Sequence, residues 1–184
     1  MSYQEHREIL FSLANDSIRH GLDYGKPIQI NINQLHPDLI VEGASFVTLE
    51  KHGQLRGCIG SIDACRPLAE DITHNAWAAA FQDPRFDRLQ ETELNELDIF
   101  ISILSKPETI DFTSEQDLLK QIRPEIDGLI IEAAGRRGTF LPSVWESLPD
   151  KKSFLSHLKM KAGLPQNYWS EELKISRYIT EYIV

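Results

Sequence analysis

The stretch Phe46–Gly60 reads FVTLEKHGQLRGCIG and places two apolar runs on either side of a polar turn that contains glycine. Alternating apolar and polar residues that flank a short glycine-bearing turn are typical of a β-hairpin. We therefore expect residues 46–50 to pair antiparallel with residues 55–59, and residues 51–54 to form the turn between them.

The second run of this hairpin carries a cysteine two residues after an arginine. Side chains alternate along a strand, so we expect Arg56 and Cys58 on one face, about 7 Å apart, and Leu55 and Ile59 on the other. A guanidinium at that distance favours the thiolate form of a cysteine. The pattern makes Cys58 a candidate nucleophile, with Arg56 as the group that stabilises it.

Two glycines flank this cysteine. Gly57 and Gly60 have no Cβ, so they allow a ligand or another backbone to come close, or allow the chain to turn. The same pattern is also typical of a structural strand end, because free cysteine is among the most frequently buried residue types. From the residues alone, a reactive and a structural Cys58 both remain open.

A second motif, Asp83-Pro84-Arg85-Phe86, predicts a turn, because proline disfavours the helical conformation of the residue before it. The motif brings an acid, a base and an aromatic ring together, as a small anionic or planar ligand requires. A structural interpretation is also open, in which Asp83 forms an Asx turn, Arg85 makes an ion pair and Phe86 fills the core.

The rest of the chain mixes predicted helices and strands. Apolar residues at helical spacing predict four helices: from a capping box at Ser2 and Glu5 to His20-Gly21, from Pro67 to about Phe81, from Ser114, and from Lys151 to Ala162. Alternating or apolar runs predict strands at residues 97–105, 128–133, 139–141 and 173–184, with a turn at Gly135–Gly138. Met160 belongs to the predicted apolar face of the last helix.

No strand–helix–strand unit repeats along the chain, and two hairpins are predicted. An α+β fold with a mainly antiparallel sheet and flanking helices is therefore expected. We expect a single domain over residues 1–184, with a soft division near residues 106–127.

The composition is that of a globular protein, since 41% of the 184 residues are hydrophobic and 26% are charged. The net charge of −9 argues against a broad nucleic-acid surface, and we expect weak binding to DNA or RNA. The chain contains neither an apolar signal segment near Met1 nor a run of eighteen apolar residues. Cys58 and Cys65 match neither a zinc motif nor a disulfide framework, so the reducing cytoplasm is the expected location.

Common signatures of cofactor chemistry do not occur. The sequence has no glycine-rich phosphate loop, no HExxH zinc motif and no GxSxG nucleophile motif. We therefore predict no cofactor and no metal site.

Six blocks of the sequence together resemble one known family, the AMMECR family, which is named after a human chromosomal-region protein linked to Alport syndrome. The blocks are Phe46-Val47-Thr48, Leu55–Gly60, Asp83–Phe86, Phe140-Leu141-Pro142, Lys161–Leu164 and Trp169. The resemblance covers nearly the whole chain and implies a compact α+β fold with a larger and a smaller subdomain and a cleft near the glycine-cysteine block. Cys65 and His74 match no motif of this family.

The resemblance extends to component A of the AmmeMemoRadiSam system. This implies a radical-SAM enzyme and a Memo-like protein as partners. It does not imply a particular reaction.

Two functions remain in competition. In the first, the chain is an enzyme component that acts on a small molecule or on a protein or RNA substrate, with Cys58 and Arg56 as catalytic residues. In the second, it is a non-catalytic module that binds a ligand or a partner. In both, the predicted binding residues are Gly57, Gly60, Asp83, Arg85 and Phe86.

Overall fold

The structure, a computed structural model, describes residues 2–184. The chain divides into two compact units. The first contains the chain up to Leu104 together with Glu181–Val184, and the second contains Ser105–Thr180. The first boundary therefore lies immediately before the range 106–127, in which the sequence places a soft division.

Helices and strands alternate irregularly along the chain. The helices are α1 (Arg7–Tyr24), α2 (Pro37–Ile40), α3 (Leu68–Phe81), α4 (Glu115–Gln121) and α5 (Lys151–Lys161), with short 3-10 helices at Tyr3–His6, Ile32–Gln34, Glu91–Glu96 and Pro142–Glu146. The strands are β1 (Glu42–Lys51), β2 (Gln54–Gly60), β3 (Arg66–Pro67), β4 (Leu97–Leu104), β5 (Glu108–Thr109), β6 (Gly128–Ala133), β7 (Arg136–Phe140), β8 (Lys174–Tyr178) and β9 (Thr180–Ile183).

The first unit is built on a five-stranded sheet in the order β2-β1-β4-β9, with β3 paired to β1. Strands β2, β3 and β4 all run antiparallel to β1. Helices α1 and α3 contribute to a single apolar core with the inward side chains of the strands, such as Val47, Leu49 and Ile101. The second unit has a four-stranded antiparallel sheet in the order β5-β8-β6-β7. The predicted α+β class is confirmed.

The predicted pairing of residues 46–50 with residues 55–59 is also confirmed. His52 and Gly53 both have positive φ, of 53° and 71°, which is the geometry of the two-residue turns that join hairpin strands.

The pairing of β1 with β2 has one irregularity after the turn. Glu50 lies opposite Leu55 but Leu49 lies opposite Gly57, so Arg56 is an extra residue in β2 and forms a bulge.

Because of the bulge, the side chains of β2 do not alternate between the two faces of the hairpin as predicted. The alternation predicts that Leu55 and Ile59 share a face, but Leu55 is exposed whereas Ile59 packs against the core. An inserted residue interrupts the strict alternation of side chains, and the apolar residue before it is therefore turned toward solvent.

The first helix continues beyond its predicted end at His20-Gly21. Gly21 is buried within α1, and a Cβ at this position would lie 2.3 Å from Cε2 of Phe81 and 2.6 Å from Cδ1 of Trp77. The missing side chain of Gly21 therefore allows α1 and α3 to pack closely. The helix ends instead at Gly25, which has a φ of 70°.

Three details of the second unit differ from the sequence prediction. The β6–β7 turn consists of Ala134 and Gly135, so the arginines at 136 and 137 lie within strand β7 and not at the predicted tip. On α5, Met160 is exposed, and Lys159 is buried in its place with its Nζ 2.7 Å from Oε2 of Glu115. The predicted strand 173–184 is interrupted at Ile179, so β8 and β9 enter different sheets.

Within residues 2–184, we find no helix with the length and apolar character needed to cross a membrane.

Candidate functional site

The β1–β2 hairpin places Cys58 directly opposite Thr48. The hydroxyl Oγ1 of Thr48 donates a hydrogen bond to Cys58 Sγ at 3.2 Å. Cys58 is a free thiol and is half-buried, whereas Cys65 is a free thiol that is exposed. The sulfur of Cys58 is therefore held by a neighbouring side chain, in a residue that keeps some exposure to solvent.

The predicted turn after α3 holds the backbone of Cys58 from the other side. Asp83 Oδ2 accepts a hydrogen bond from the Cys58 backbone N–H at 2.9 Å. The backbone carbonyl oxygen of Asp83 accepts a hydrogen bond from the N–H of Phe86 at 3.2 Å. The side-chain oxygen Oδ1 of Asp83 accepts one from the N–H of Arg85 at 3.1 Å. The motif is thus an Asx turn, as its structural interpretation proposes, and it also contacts the glycine-cysteine segment.

Arg85 is the arginine that hydrogen-bonds to Cys58. Its Nη2 donates to the Cys58 carbonyl oxygen at 3.2 Å and to Asp83 Oδ2 at 2.7 Å, and its Nε donates to Asp83 Oδ1 at 2.9 Å. The side chain of Arg85 is nevertheless 54% exposed. Asp83 therefore fixes a solvent-accessible guanidinium beside the cysteine.

The sequence suggests that Arg56 stabilises Cys58, but in the structure Arg56 forms an ion pair with Glu93. Its Nε and Nη2 donate to the two carboxylate oxygens of Glu93, both at 2.9 Å, and its side chain is only 14% exposed. Both arginines form a bidentate contact with a carboxylate, but Arg85 is the more exposed of the two and also donates to the Cys58 carbonyl oxygen. Arg85 is therefore the better placed of the two to meet an anionic group beside the cysteine.

Phe86 links the two arginines. The Cζ atom of Arg85 lies 5.5 Å from the centroid of the Phe86 ring, and the Cζ atom of Arg56 lies 6.0 Å from it. Both distances are in the range of cation–π contacts. The ring therefore helps to fix both guanidinium groups, and of the predicted site residues the fold brings Arg56, Cys58, Asp83, Arg85 and Phe86 into one neighbourhood.

The two glycines of this segment do not leave open space for a ligand at their Cβ positions. A Cβ on Gly57 would lie 2.1 Å from the carbonyl oxygen of Ala79 in α3, and a Cβ on Gly60 would lie 2.2 Å from the Phe46 ring. The close approach that the sequence predicts is present, but protein groups make it. This corrects the expectation that Gly57 and Gly60 admit a ligand on these sides.

Both carboxylates of this neighbourhood are held in the charged form. Hydrogen bonds from Arg85 hold the pKa of Asp83 well below its usual range, with further contributions from the backbone N–H groups of Cys58 and Arg85. Hydrogen bonds from Arg56 lower the pKa of Glu93 to about 2. The pKa of Arg85 is raised, chiefly by its hydrogen bonds to Asp83.

These shifts predict a loss of stability in acid. A carboxylate whose pKa is lower in the folded than in the unfolded state stabilises the protein fully above its unfolded pKa of about 4, and this stabilisation disappears as the pH falls through the folded value. We expect the free energy of unfolding to fall between about pH 5 and pH 2, and Glu93→Gln to flatten this dependence. Urea unfolding at a series of pH values measures it. An unchanged slope in Glu93→Gln would contradict the assignment to the Arg56–Glu93 pair.

A buried polar cluster that the sequence analysis does not predict lies where α3 faces β1. Asp71 Oδ2 accepts from the Ser45 N–H at 2.8 Å, from the Ser45 hydroxyl at 2.7 Å and from Asn75 Nδ2 at 2.9 Å, and Oδ1 accepts from the Ser61 hydroxyl at 2.7 Å. Asp71, Ser45 and Asn75 are all buried. Since Asp71 is satisfied by protein donors, the cluster anchors the helix to the sheet.

The first unit also contains a cavity that lies away from the predicted site residues. It has a volume of about 550 Å³ and is lined by Arg19, Phe81, Arg88 and Leu94, among others, and by none of the seven predicted site residues. The candidate site around Cys58 and Arg85 is therefore distinct from this cavity and is defined by its hydrogen bonds.

Comparisons with known proteins agree with this fold. The family model AMMECR1 matches residues 11–183. A protein from Sulfolobus acidocaldarius is 38% identical over 177 residues, which cover 92% of this chain and 77% of the relative, and one from Methanothermobacter thermautotrophicus is 40% identical over 139 residues, which cover 72% and 70%. The crystal structure of the uncharacterised protein PH0010 from Pyrococcus horikoshii superposes with a TM-score of 0.87 at 33% identity, over 97% of this chain and 90% of that one. The chain therefore belongs to the AMMECR1 family.

Proposed function

We propose that this AMMECR-domain protein is a thiol-dependent enzyme component in which Cys58 is the nucleophile and Arg85 supplies the positive charge beside it. One observation carries the proposal: Asp83 holds the exposed Arg85 guanidinium against the cysteine by two side-chain hydrogen bonds. The exposed guanidinium offers hydrogen-bond donors to an anionic substrate group beside this half-buried thiol.

The arrangement suits a particular class of substrate. A guanidinium binds carboxylate and phosphate groups, so a small molecule with an anionic group beside an electrophilic carbon fits the pair. The thiolate forms a sulfur–carbon bond while the leaving group departs with its bonding electrons.

Alkylation by iodoacetamide tests the reactivity of the cysteine. We expect Cys58 to react faster at pH 7 than the exposed Cys65, and Arg85→Gln to slow Cys58 by about tenfold, or about 1.4 kcal/mol in the barrier, because the variant removes the positive charge beside the reacting thiol. Peptide mass spectrometry measures both rates in one sample. Arg56→Gln is the matched control, and it should change the rate of Cys58 by less than about twofold, since the guanidinium of Arg56 is largely shielded from solvent and directed to Glu93, whereas that of Arg85 is directed to Cys58. A Cys58 rate below that of Cys65 and insensitive to Arg85→Gln would refute the proposal.

A second candidate function is a binding module, and a row of side chains across the sheet favours it. Cys58 lies opposite Thr48, and Thr48 lies opposite Phe100, whose ring is exposed on β4. An exposed aromatic ring on a sheet face suits contact with a partner protein. The partners expected from the family resemblance, a radical-SAM enzyme and a Memo-like protein, belong to this second proposal.

Complementation of a deletion strain separates the two functions. If Cys58 is the nucleophile, Cys58→Ser abolishes complementation while the protein remains folded. If the sheet face binds a partner, Phe100→Ser abolishes complementation and Cys58→Ser does not. Circular dichroism of both variants checks that the fold is retained.

A further inference from the structure

Three potential metal ligands meet in the first unit, far from Cys58 in the sequence. His6 is the last residue of the 3-10 helix Tyr3–His6, and His36 and Asp38 stand on either side of the first residue of α2. One ligand atom from each of the three side chains lies within 4.8 Å of the other two. The fold brings these residues together although His6 and Asp38 are 32 positions apart.

The distances within this triad match a shared ion better than hydrogen bonds. Oδ2 of Asp38 lies 3.4 Å from Nε2 of His6 and 3.4 Å from Nδ1 of His36. Hydrogen bonds between such atoms are usually about 2.9 Å long. In tetrahedral coordination with metal–ligand distances of about 2.0–2.1 Å, neighbouring ligand atoms lie roughly 3.3–3.4 Å apart.

The charges of the three side chains also favour a bound cation. The side chain of Asp38 is 15% exposed, and both of its ion-pair contacts are with histidines, which are neutral unless protonated. Nδ1 of His36 accepts a hydrogen bond from the Asp38 N–H, but at 3.4 Å this bond is long and weak. The lone pairs of both imidazoles and the carboxylate are therefore available to a cation.

We propose that His6, His36 and Asp38 bind one divalent transition-metal ion of the Zn²⁺ class. Two imidazole nitrogens and one carboxylate oxygen are the donors that zinc and its neighbours accept, whereas Ca²⁺ and Mg²⁺ prefer oxygen donors only. His6 is 15% exposed and His36 is 56% exposed, so the three ligands are partly sheltered and partly open to solvent, and a water molecule would complete the coordination of the ion. The sequence motifs predict no metal site, because the three ligands come from two separate segments.

The site is independent of the proposed thiol chemistry. His6 lies before the residues matched by the family model, and neither cysteine belongs to the triad. Its effect is structural: an ion bound by the folded state alone clips the N-terminal 3-10 helix to the start of α2 and stabilises the protein.

Titration with Zn²⁺ by isothermal calorimetry, after dialysis against a chelator, tests the site. We expect one ion per chain, and an affinity that falls by about tenfold or more in His36→Ala and in Asp38→Asn, since even outer-shell changes cost metal sites about 10–100-fold. Zn²⁺ should also raise the melting temperature of the wild-type protein and not that of His36→Ala. His36 is more than half exposed and its hydrogen bond to the Asp38 N–H is long, so His36→Ala should retain the fold, which circular dichroism checks.

Two matched controls identify the ligands. His157→Ala removes an imidazole from the surface of α5, and Cys65→Ser removes the exposed thiol. Neither should change the affinity by more than about twofold if the triad holds the ion. Equal Zn²⁺ affinity in the wild-type protein and in His36→Ala, or a loss of binding in Cys65→Ser, would overturn the proposal.

Discussion

Replacing Gly57 with alanine is expected to reduce the free energy of unfolding by about 3 kcal/mol or more, at the upper end of the usual range for overpacking. The added Cβ would lie 2.1 Å from the carbonyl oxygen and 3.0 Å from the carbonyl carbon of Ala79. A clash with backbone cannot be relieved by rotating a side chain, so α3 and β2 must separate. Urea unfolding followed by circular dichroism measures the change.

Gly53→Ala is the control for this prediction. Gly53 lies in the same hairpin and has a φ of 71°. Among residues 2–184, no atom beyond its chain neighbours lies within 4 Å of the position that its Cβ would take. The substitution there strains only the local backbone and should cost about 1 kcal/mol. If the two variants were equally destabilised, the steric explanation for Gly57 would be wrong.

Asp71→Ala is expected to cost about 2–3 kcal/mol, because a buried donor left without an acceptor costs about 1–3 kcal/mol. The backbone N–H of Ser45 loses its acceptor at a buried position, whereas the amide of Asn75 keeps the Ser45 carbonyl oxygen as an acceptor. Hydroxyl groups can rotate toward other acceptors, so the serine side chains contribute less. Thermal and urea unfolding of the variant measure the loss.

Asp16→Ala provides the matched comparison. Asp16 also lies on a helix and accepts one hydrogen bond from a serine, Ser12, but this contact is exposed. Its removal should change stability by no more than about 0.5 kcal/mol. A similar loss in both variants would show that the buried cluster does not anchor α3.

Local patterns in the sequence are sufficient to predict the hairpin and the Asx turn at Asp83. In both, the interactions that form the structure join residues close in the chain. The bulge at Arg56 is not predictable in this way, because a regular two-residue turn would place Thr48 opposite Gly57. The inserted residue shifts the register and brings Thr48 to Cys58.

The contacts that define the candidate site join distant residues. Glu93 lies 37 positions from Arg56, and Asp83 lies 25 positions from the Cys58 backbone that it binds. The sequence identifies these residue types as chemically notable but contains no signal for their pairing. It likewise marks Gly57 as a place of close approach without showing whether a ligand or the backbone of α3 comes close.

The division of the chain has a consequence for its synthesis on the ribosome. Strand β9 completes the edge of the first sheet next to β4, and Glu181 also accepts hydrogen bonds from Ser2 and Tyr3. Residues 105–179 are translated between these strands, which takes several seconds at about 5–20 residues per second. During that interval the nascent chain presents β4 as an unpaired edge, the kind of surface that chaperones shield from aggregation.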